Sequence, residues 1–156
     1  LKVKLQNKKY GGNIEYRTHI AQKGWQDWKK NGQTAGTTGE KLAMEAVRLK
    51  LTGELAEHYD IYYRVHSQSY GWLGWAKNGE IAGTAGLAKR MEAIQIKLVE
   101  KGGKAPGTSE KHYVSNQGVF YQSHVQTYGW QTWKQNGETS GIILLQQRGA
   151  ARESVL

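Results

Sequence analysis

Three times, and without a gap, this chain spells Tyr-x-x-His-(x4)-Gly-Trp-x-x-Trp-x-x-Asn-Gly-(x3)-Gly. The first copy holds Tyr16, His19, Gly24, Trp25, Trp28, Asn31, Gly32 and Gly36. The second holds Tyr63, His66, Gly71, Trp72, Trp75, Asn78, Gly79 and Gly83, and the third Tyr121, His124, Gly129, Trp130, Trp133, Asn136, Gly137 and Gly141. All six tryptophans are used. Trp25, Trp72 and Trp130 are 47 and 58 residues apart. The additional 11 residues fall around Lys101–Thr108, which holds the only proline and reads as a surface loop tolerant of cleavage or grafting. Units of this size bury too little apolar surface to stand alone. Residues 1–156 are therefore expected to form a single three-repeat domain, with copies at approximately 10–57, 58–111 and 112–156 plus 1–9.

A second block recurs downstream: Met44-Glu45-Ala46-Val47-Arg48-Leu49-Lys50-Leu51 and Met91-Glu92-Ala93-Ile94-Gln95-Ile96-Lys97-Leu98. Its composition favours helix, and a competing reading places helices over Glu40 to Lys50 and Ala88 to Lys97. Its apolar residues nevertheless alternate, which is the period of a half-buried strand. The third copy has only Arg152-Glu153-Ser154-Val155-Leu156, whereas Leu1-Lys2-Val3-Lys4-Leu5 matches the pattern of Val47–Leu51. The N-terminal segment is therefore expected to be a strand that lies beside the third copy and closes a ring. The Asn-Gly pairs predict a primed hairpin turn in each copy. With the stretches around Tyr10, Tyr59 and Tyr113, this makes three or four strands per copy. The expected fold class is all-β, a closed body with pseudo-threefold symmetry. A β-prism and a β-trefoil both satisfy the strand count.

Six Trp and nine Tyr stand against a single Phe, so nearly every ring carries a polar handle and suits a wet binding surface as well as a core. Such rings stack on the apolar face of a pyranose while nearby amides bond its hydroxyls. The candidate ligand-binding residues are therefore Trp25, Trp28 and Asn31, Trp72, Trp75 and Asn78, and Trp130, Trp133 and Asn136. The competing reading makes each Trp pair the packing centre of its repeat. Two residues three apart on one strand face opposite sides, so one Trp per copy is expected to pack and the other to be at least partly exposed. The asparagines serve the turn, with a ligand contact as a second role.

Cysteine is absent, which removes disulfides and thiolate chemistry. Twenty-two Lys and Arg against 13 Asp and Glu give +9, which favours polyanions at long range. Residues Lys8, Lys9, Lys29, Lys30, Lys89, Arg90, Lys101, Lys104 and Lys111 would favour an anionic polymer if they share one face. No apolar run approaches the roughly 18 residues of a membrane span, and the first residues lack a signal-peptide core. His19, His66 and His124 recur with Glu45, Glu92 and Glu153. They read as hydrogen-bonded pairs that stabilise each repeat rather than as a metal or acid-base site. A catalytic site needs one organised cleft, so triplication argues against an enzyme, and no catalytic residue, metal or cofactor is expected. Gly36-Thr37-Thr38-Gly39 and Gly83-Thr84-Ala85-Gly86 lack the following lysine of a phosphate loop and read as turns.

Taken together, the Tyr-x-x-His strand, Gly-Trp, Trp-x-x-Asn-Gly, Ala-Gly-Thr and Glu-Ala-(Val/Ile)-x-(Leu/Ile)-Lys-Leu resemble the ChW repeat, the clostridial hydrophobic repeat with a Trp. The resemblance runs from Asn13 through Gly141. It implies a module found in threes in secreted and surface proteins of Gram-positive bacteria and their phages, often beside hydrolase domains. The function it implies is non-catalytic attachment of a secreted or phage-associated protein to cell-wall glycan or another polysaccharide. An extracellular protein-interaction module, with a surface protein as partner, is the alternative. A nucleic-acid partner is not expected, nor is a membrane span.

Overall fold

The structure, a computed structural model, describes residues 1–116, 118–135, 138–143 and 154–155. It divides into two compact units, Leu1–Asn116 and Gln117–Leu156. In the first unit, copy one contributes β1 (Ile14–Ile20), β2 (Gly24–Trp25), β3 (Lys29–Lys30) and β4 (Met44–Leu51), followed by the short helix α1 (Glu54–His58). Copy two contributes β5 (Tyr59–Ser67), β6 (Gly71–Trp72), β7 (Ala76–Lys77), β8 (Ala82–Ala85) and β9 (Met91–Glu100), and β10 (Tyr113–Ser115) follows. The second unit holds β11 (Phe120–Tyr121), β12 (His124–Val125), β13 (Gly129–Trp130), β14 (Lys134–Gln135), β15 (Ile142–Ile143) and β16 (Ser154–Val155). The fold is nearly all β. Both Met-Glu-Ala blocks are strands, as their alternation predicts, and neither helix of the competing reading forms. Among the described residues no helix is long and apolar enough to cross a membrane.

Each copy is built on one register. Strand β1 pairs with β4 along its length on one edge, and with β2 and then β3 on the other, His19 opposite Trp25 and Tyr16 opposite Lys29. Strand β5 repeats this with β9, β6 and β7, His66 opposite Trp72 and Tyr63 opposite Ala76. In the second unit His124 again lies opposite Trp130 and Tyr121 opposite Lys134. Along β1, alternate residues Ile14, Tyr16, Thr18 and Ile20 are buried, the period-two signature of a strand with one face in the core. Of these, Ile14 and Tyr16 meet Val47, Leu49, Ile61, Tyr63, Val65 and Ala82 in one core shared by copies one and two.

The Asn-Gly pairs form the turn their sequence predicts. Asn31 and Gly32 have φ of 48° and 89°, Asn78 and Gly79 of 43° and 88°, the positive pair that a primed turn requires. The expected hairpin does not follow, because the strands on either side of the turn join different partners. Strand β7 stays with β5, whereas β8 leaves its own copy, pairing with β4 of copy one on one edge and with β10 on the other. Small residues make that crossing possible. A Cβ on Gly83 would stand 2.3 Å from the Glu45 carbonyl oxygen. In each copy the repeated Tyr locks the turn from below, Tyr16, Tyr63 and Tyr121 donating through their hydroxyls to the carbonyls of Gln33, Glu80 and Glu138. Burial pushes the Tyr63 phenol up to about 12.

The N-terminal segment corrects a second expectation. Residues 1–5 form no regular strand and run along the turn of copy one. Gly32 donates to Val3 O at 2.7 Å and Ala35 to Leu1 O at 2.8 Å. Gly79 donates to Leu49 O at 2.6 Å in the equivalent place. The segment thus stands to copy one as β4 stands to copy two, and its likeness to Val47–Leu51 has this physical meaning: both offer carbonyls and an apolar row to the next copy's turn. This relation is serial. The sheets formed by the described residues are open, and no barrel closes among them.

Candidate functional site

Around each repeated Trp pair a small constellation assembles on the outward face of the sheet. Trp25 belongs to β2, but Trp28 sits in the irregular segment between β2 and β3, so the two are not on one strand and the opposite-face expectation does not apply. Both rings instead flank one guanidinium, the Arg17 Cζ lying 5.0 Å from each ring centroid. Arg64 repeats the arrangement at 4.8 Å from Trp72 and 4.9 Å from Trp75. Such Trp-Arg-Trp stacking is a cation-π clamp. Behind it stands the histidine, edge-on to the first Trp at 5.3 Å in copy one, 5.4 Å in copy two and 5.3 Å in copy three. His19 Nδ1 is 3.0 Å from Glu45 Oε2 and His66 Nδ1 is 3.1 Å from Glu92 Oε2. In copies one and two the His-Glu sets are therefore the hydrogen-bonded pairs the sequence suggests, bracing the first Trp. Glu153 lies outside the described residues.

The three copies differ in how much ring they present. In copy one Trp25 and Trp28 are both half-buried. In copy two Trp72 is 41% exposed and Trp75 only 8%. In copy three Trp130 and Trp133 are 68% and 64% exposed. One packed and one exposed ring is thus the arrangement of copy two alone. Its cause is the insertion, a surface loop as expected, which also reaches back over the second ring. The Thr108 carbonyl accepts the Trp75 N–H at 2.8 Å, and a Cβ on Gly107 would stand 2.9 Å from Trp75 Nε1. In copy three Gln122 replaces the clamping arginine and donates through Nε2 to Gln131 O at 3.0 Å.

Asn31 and Asn78 spend their amides on the fold. Asn31 Oδ1 accepts the Ile14 N–H at 3.3 Å while its Nδ2 donates to Asn13 Oδ1 at 2.7 Å, and Asn78 does the same with Ile61 and Asp60. They hold the turn, as the sequence suggests; Asn136 lies outside the described residues. Asp60 also takes Gly102 N–H at 3.0 Å, Lys101 at 3.1 Å and Lys77 at 3.4 Å. Burial alone would raise its pKa, but these donors outweigh burial and hold the carboxyl well below the usual carboxylate range.

Several of the basic residues singled out in the sequence are engaged locally. Lys8 donates to Gly12 O, Lys89 to Ser69 and Arg90 to Glu92, while Lys9 lies over Tyr10. The sequence reading missed Arg17 and Arg64. Each directly follows the repeated Tyr, but Gln122 in the third copy removes them from a three-way pattern.

A family model described as Clostridial hydrophobic W, ChW, matches residues 19–53, 66–100 and 124–143. Comparisons with curated proteins and with solved structures gave no match.

Proposed function

Since the chain belongs to the clostridial hydrophobic W family, whose repeat it carries three times, we propose that it is a non-catalytic carbohydrate-binding module. It attaches a secreted or phage-associated protein to the wall of a Gram-positive cell. The observation that carries this reading is the exposure of Trp130 and Trp133, at 68% and 64%. Two large rings of one copy stand in solvent, the first braced by His124, and a pyranose is the ligand whose apolar face and ring of hydroxyls suit an indole platform in water. Trp72, at 41% exposure and braced by His66, offers a further ring. Several weak sites on one chain gain by avidity when the ligand is a repeating polymer. The described His-Glu pairs are spent on bracing Trp25 and Trp72, which leaves these repeated polar residues in a supporting role rather than a chemical one.

Incubation of the protein with insoluble Gram-positive cell walls, before and after wall polymers are stripped, at low and high salt, tests the reading. Retention that survives high salt and is lost in a Trp130→Ala, Trp133→Ala double variant is the expected result. Absence of retention, or retention that salt abolishes, would overturn glycan attachment. The extracellular protein-interaction reading would then take its place. It is favoured by the exposed apolar side chains Ile96 and Leu98 on β9.

A further inference from the structure

Among the described residues, copy one differs from the other two in the charge gathered around its second tryptophan. Arg17 and Arg48 lie directly opposite each other in the β1–β4 register. Three cations converge on the Trp28 ring: Arg17 with Cζ at 5.0 Å, Arg48 with Cζ at 6.0 Å and Lys50 with Nζ at 4.3 Å. Like charges directly opposite on neighbouring strands destabilise a sheet, and one carboxylate, Glu15 at 3.3 Å from Lys50, offsets the group in part. Arg48 uses Nε on the Gly79 carbonyl at 2.6 Å. Arg17 Nε is buried without a hydrogen-bond partner, although buried polar groups are as a rule paired.

Copy two lacks each of these features. Gln95 stands at the place of Arg48 and accepts the Arg64 Nε–H at 2.7 Å, so the like-charge pair is replaced by a satisfied hydrogen bond. The second ring, Trp75, lies under the insertion. In copy three Gln122 takes the place of Arg17, and the rings are bare. One repeat thus carries two arginines and a lysine around a half-open indole, one a covered indole, and one a pair of exposed indoles with no cation over them among the described residues.

We propose that the Arg17–Arg48–Lys50 cluster at Trp28 binds an anionic oxygen group, the phosphate or carboxylate of a charged polymer residue. Two guanidinium forks on adjacent strands supply the paired N–H donors that planar carboxylates and phosphates accept. The lysine adds a point charge, and Trp28 forms an apolar wall beside them. Bound anion relieves the Arg17–Arg48 repulsion, which gives the site a free-energy reason to prefer a charged ligand to a neutral one. The inference takes the Trp25–Trp28 face as ligand-binding, as the proposed function does, but it assigns this copy a different ligand chemistry from copy three.

The test follows the indole N–H signals of the full chain by NMR, with Trp28, Trp130 and Trp133 identified by single Trp→Phe variants. Inorganic phosphate, glucuronate and an uncharged N-acetylglucosamine oligomer are titrated in turn. The expected result is a saturable shift of Trp28 with phosphate, with glucuronate or with both. That shift weakens at least fivefold in Arg48→Gln, which installs the residue of copy two, and persists in Lys104→Gln, which removes the same charge from the exposed insertion. Phosphate alone acting assigns a phosphodiester polymer, and glucuronate alone a uronate polymer. No shift of Trp28 with either anion, or equal weakening in both variants, overturns the proposal. The uncharged oligomer reports separately: failure to move Trp130 and Trp133 counts against the neutral-glycan reading and leaves the Trp28 site standing.

Discussion

Gly74 lies so close to Glu110 that a Cβ on the glycine would stand 2.0 Å from the Glu110 carbonyl oxygen. The equivalent residues, Asp27 and Thr132, are both exposed, so the glycine belongs to the insertion rather than to the repeat. Gly74→Ala must push residues 108–111 outward and break the Trp75–Thr108 bond. Forced overpacking of this kind costs about 1–3 kcal/mol. Uncovering of Trp75 should appear as a red shift in tryptophan emission and as faster tryptic cleavage at Lys104. Unchanged emission and cleavage would show that the insertion adjusts without uncovering the ring.

Asp60 is the anchor of that same insertion, since it holds the Gly102 N–H and the Lys101 ammonium. Its pKa is depressed in the folded state by the donors around it. The stability it contributes is therefore complete above the unfolded carboxylate value of about 4 and is lost as pH falls below it. Asp60→Asn, which copies Asn13 of the first repeat, should lower stability by about 1–3 kcal/mol at pH 7. The gap between variant and parent should narrow at pH 3. Urea midpoints at the two pH values check this, and a gap independent of pH would contradict the assignment.

What could be read in the sequence was the part of each repeat that recurs with fixed offsets. The pairing of His19 with Glu45, the Asn31-Gly32 turn and the strand over Met44–Leu51 all lie within one copy, so periodicity and spacing specify them. The partner of a segment is another matter. An Asn-Gly turn states that the backbone reverses, not which strand the emerging segment joins, and so β8 was expected beside β7 rather than on β4. Leu1–Leu5 was matched to the right block, but its pairing with the turn of copy one was not foreseen: likeness to Val47–Leu51 fixes the role, and the role is to serve the next copy. Positions that differ between copies, such as Arg48 against Gln95 or Gly74 against Asp27, carry no signal in a repeat pattern. They are where the three sites diverge.

The two described His-Glu pairs differ in burial, and that difference predicts unequal costs. Glu45 is 1% exposed, whereas Glu92 is 34% exposed and shared with Arg90. Glu45→Ala removes a buried charged acceptor from His19 and should cost about 1.5–3 kcal/mol. Glu92→Ala breaks a solvated pair and should cost below about 1 kcal/mol. Chemical unfolding of the two variants measures both, and equal losses would contradict the burial argument.

The tryptophans sort into two classes by what surrounds them, and single substitutions should separate stability from binding. Trp75 is covered by the insertion and packs on Arg64, so Trp75→Ala leaves a cavity under residues 107–108 and should cost about 3–5 kcal/mol. It should change wall retention only as far as it unfolds the chain. Trp130 and Trp133 bury little, so their replacement by alanine should leave the urea midpoint almost unmoved. If a sugar stacks there, each ring contributes about 0.5–1.5 kcal/mol beyond its buried area, a loss of about two- to tenfold in monovalent affinity. On a polymer the loss compounds, because avidity multiplies the affinities of the engaged sites. Wall retention and unfolding midpoints measured on Trp75→Ala, Trp130→Ala and Trp133→Ala should therefore fall in opposite patterns. Full retention by the exposed-ring variants would remove these indoles from the binding surface, whatever the wall receptor is.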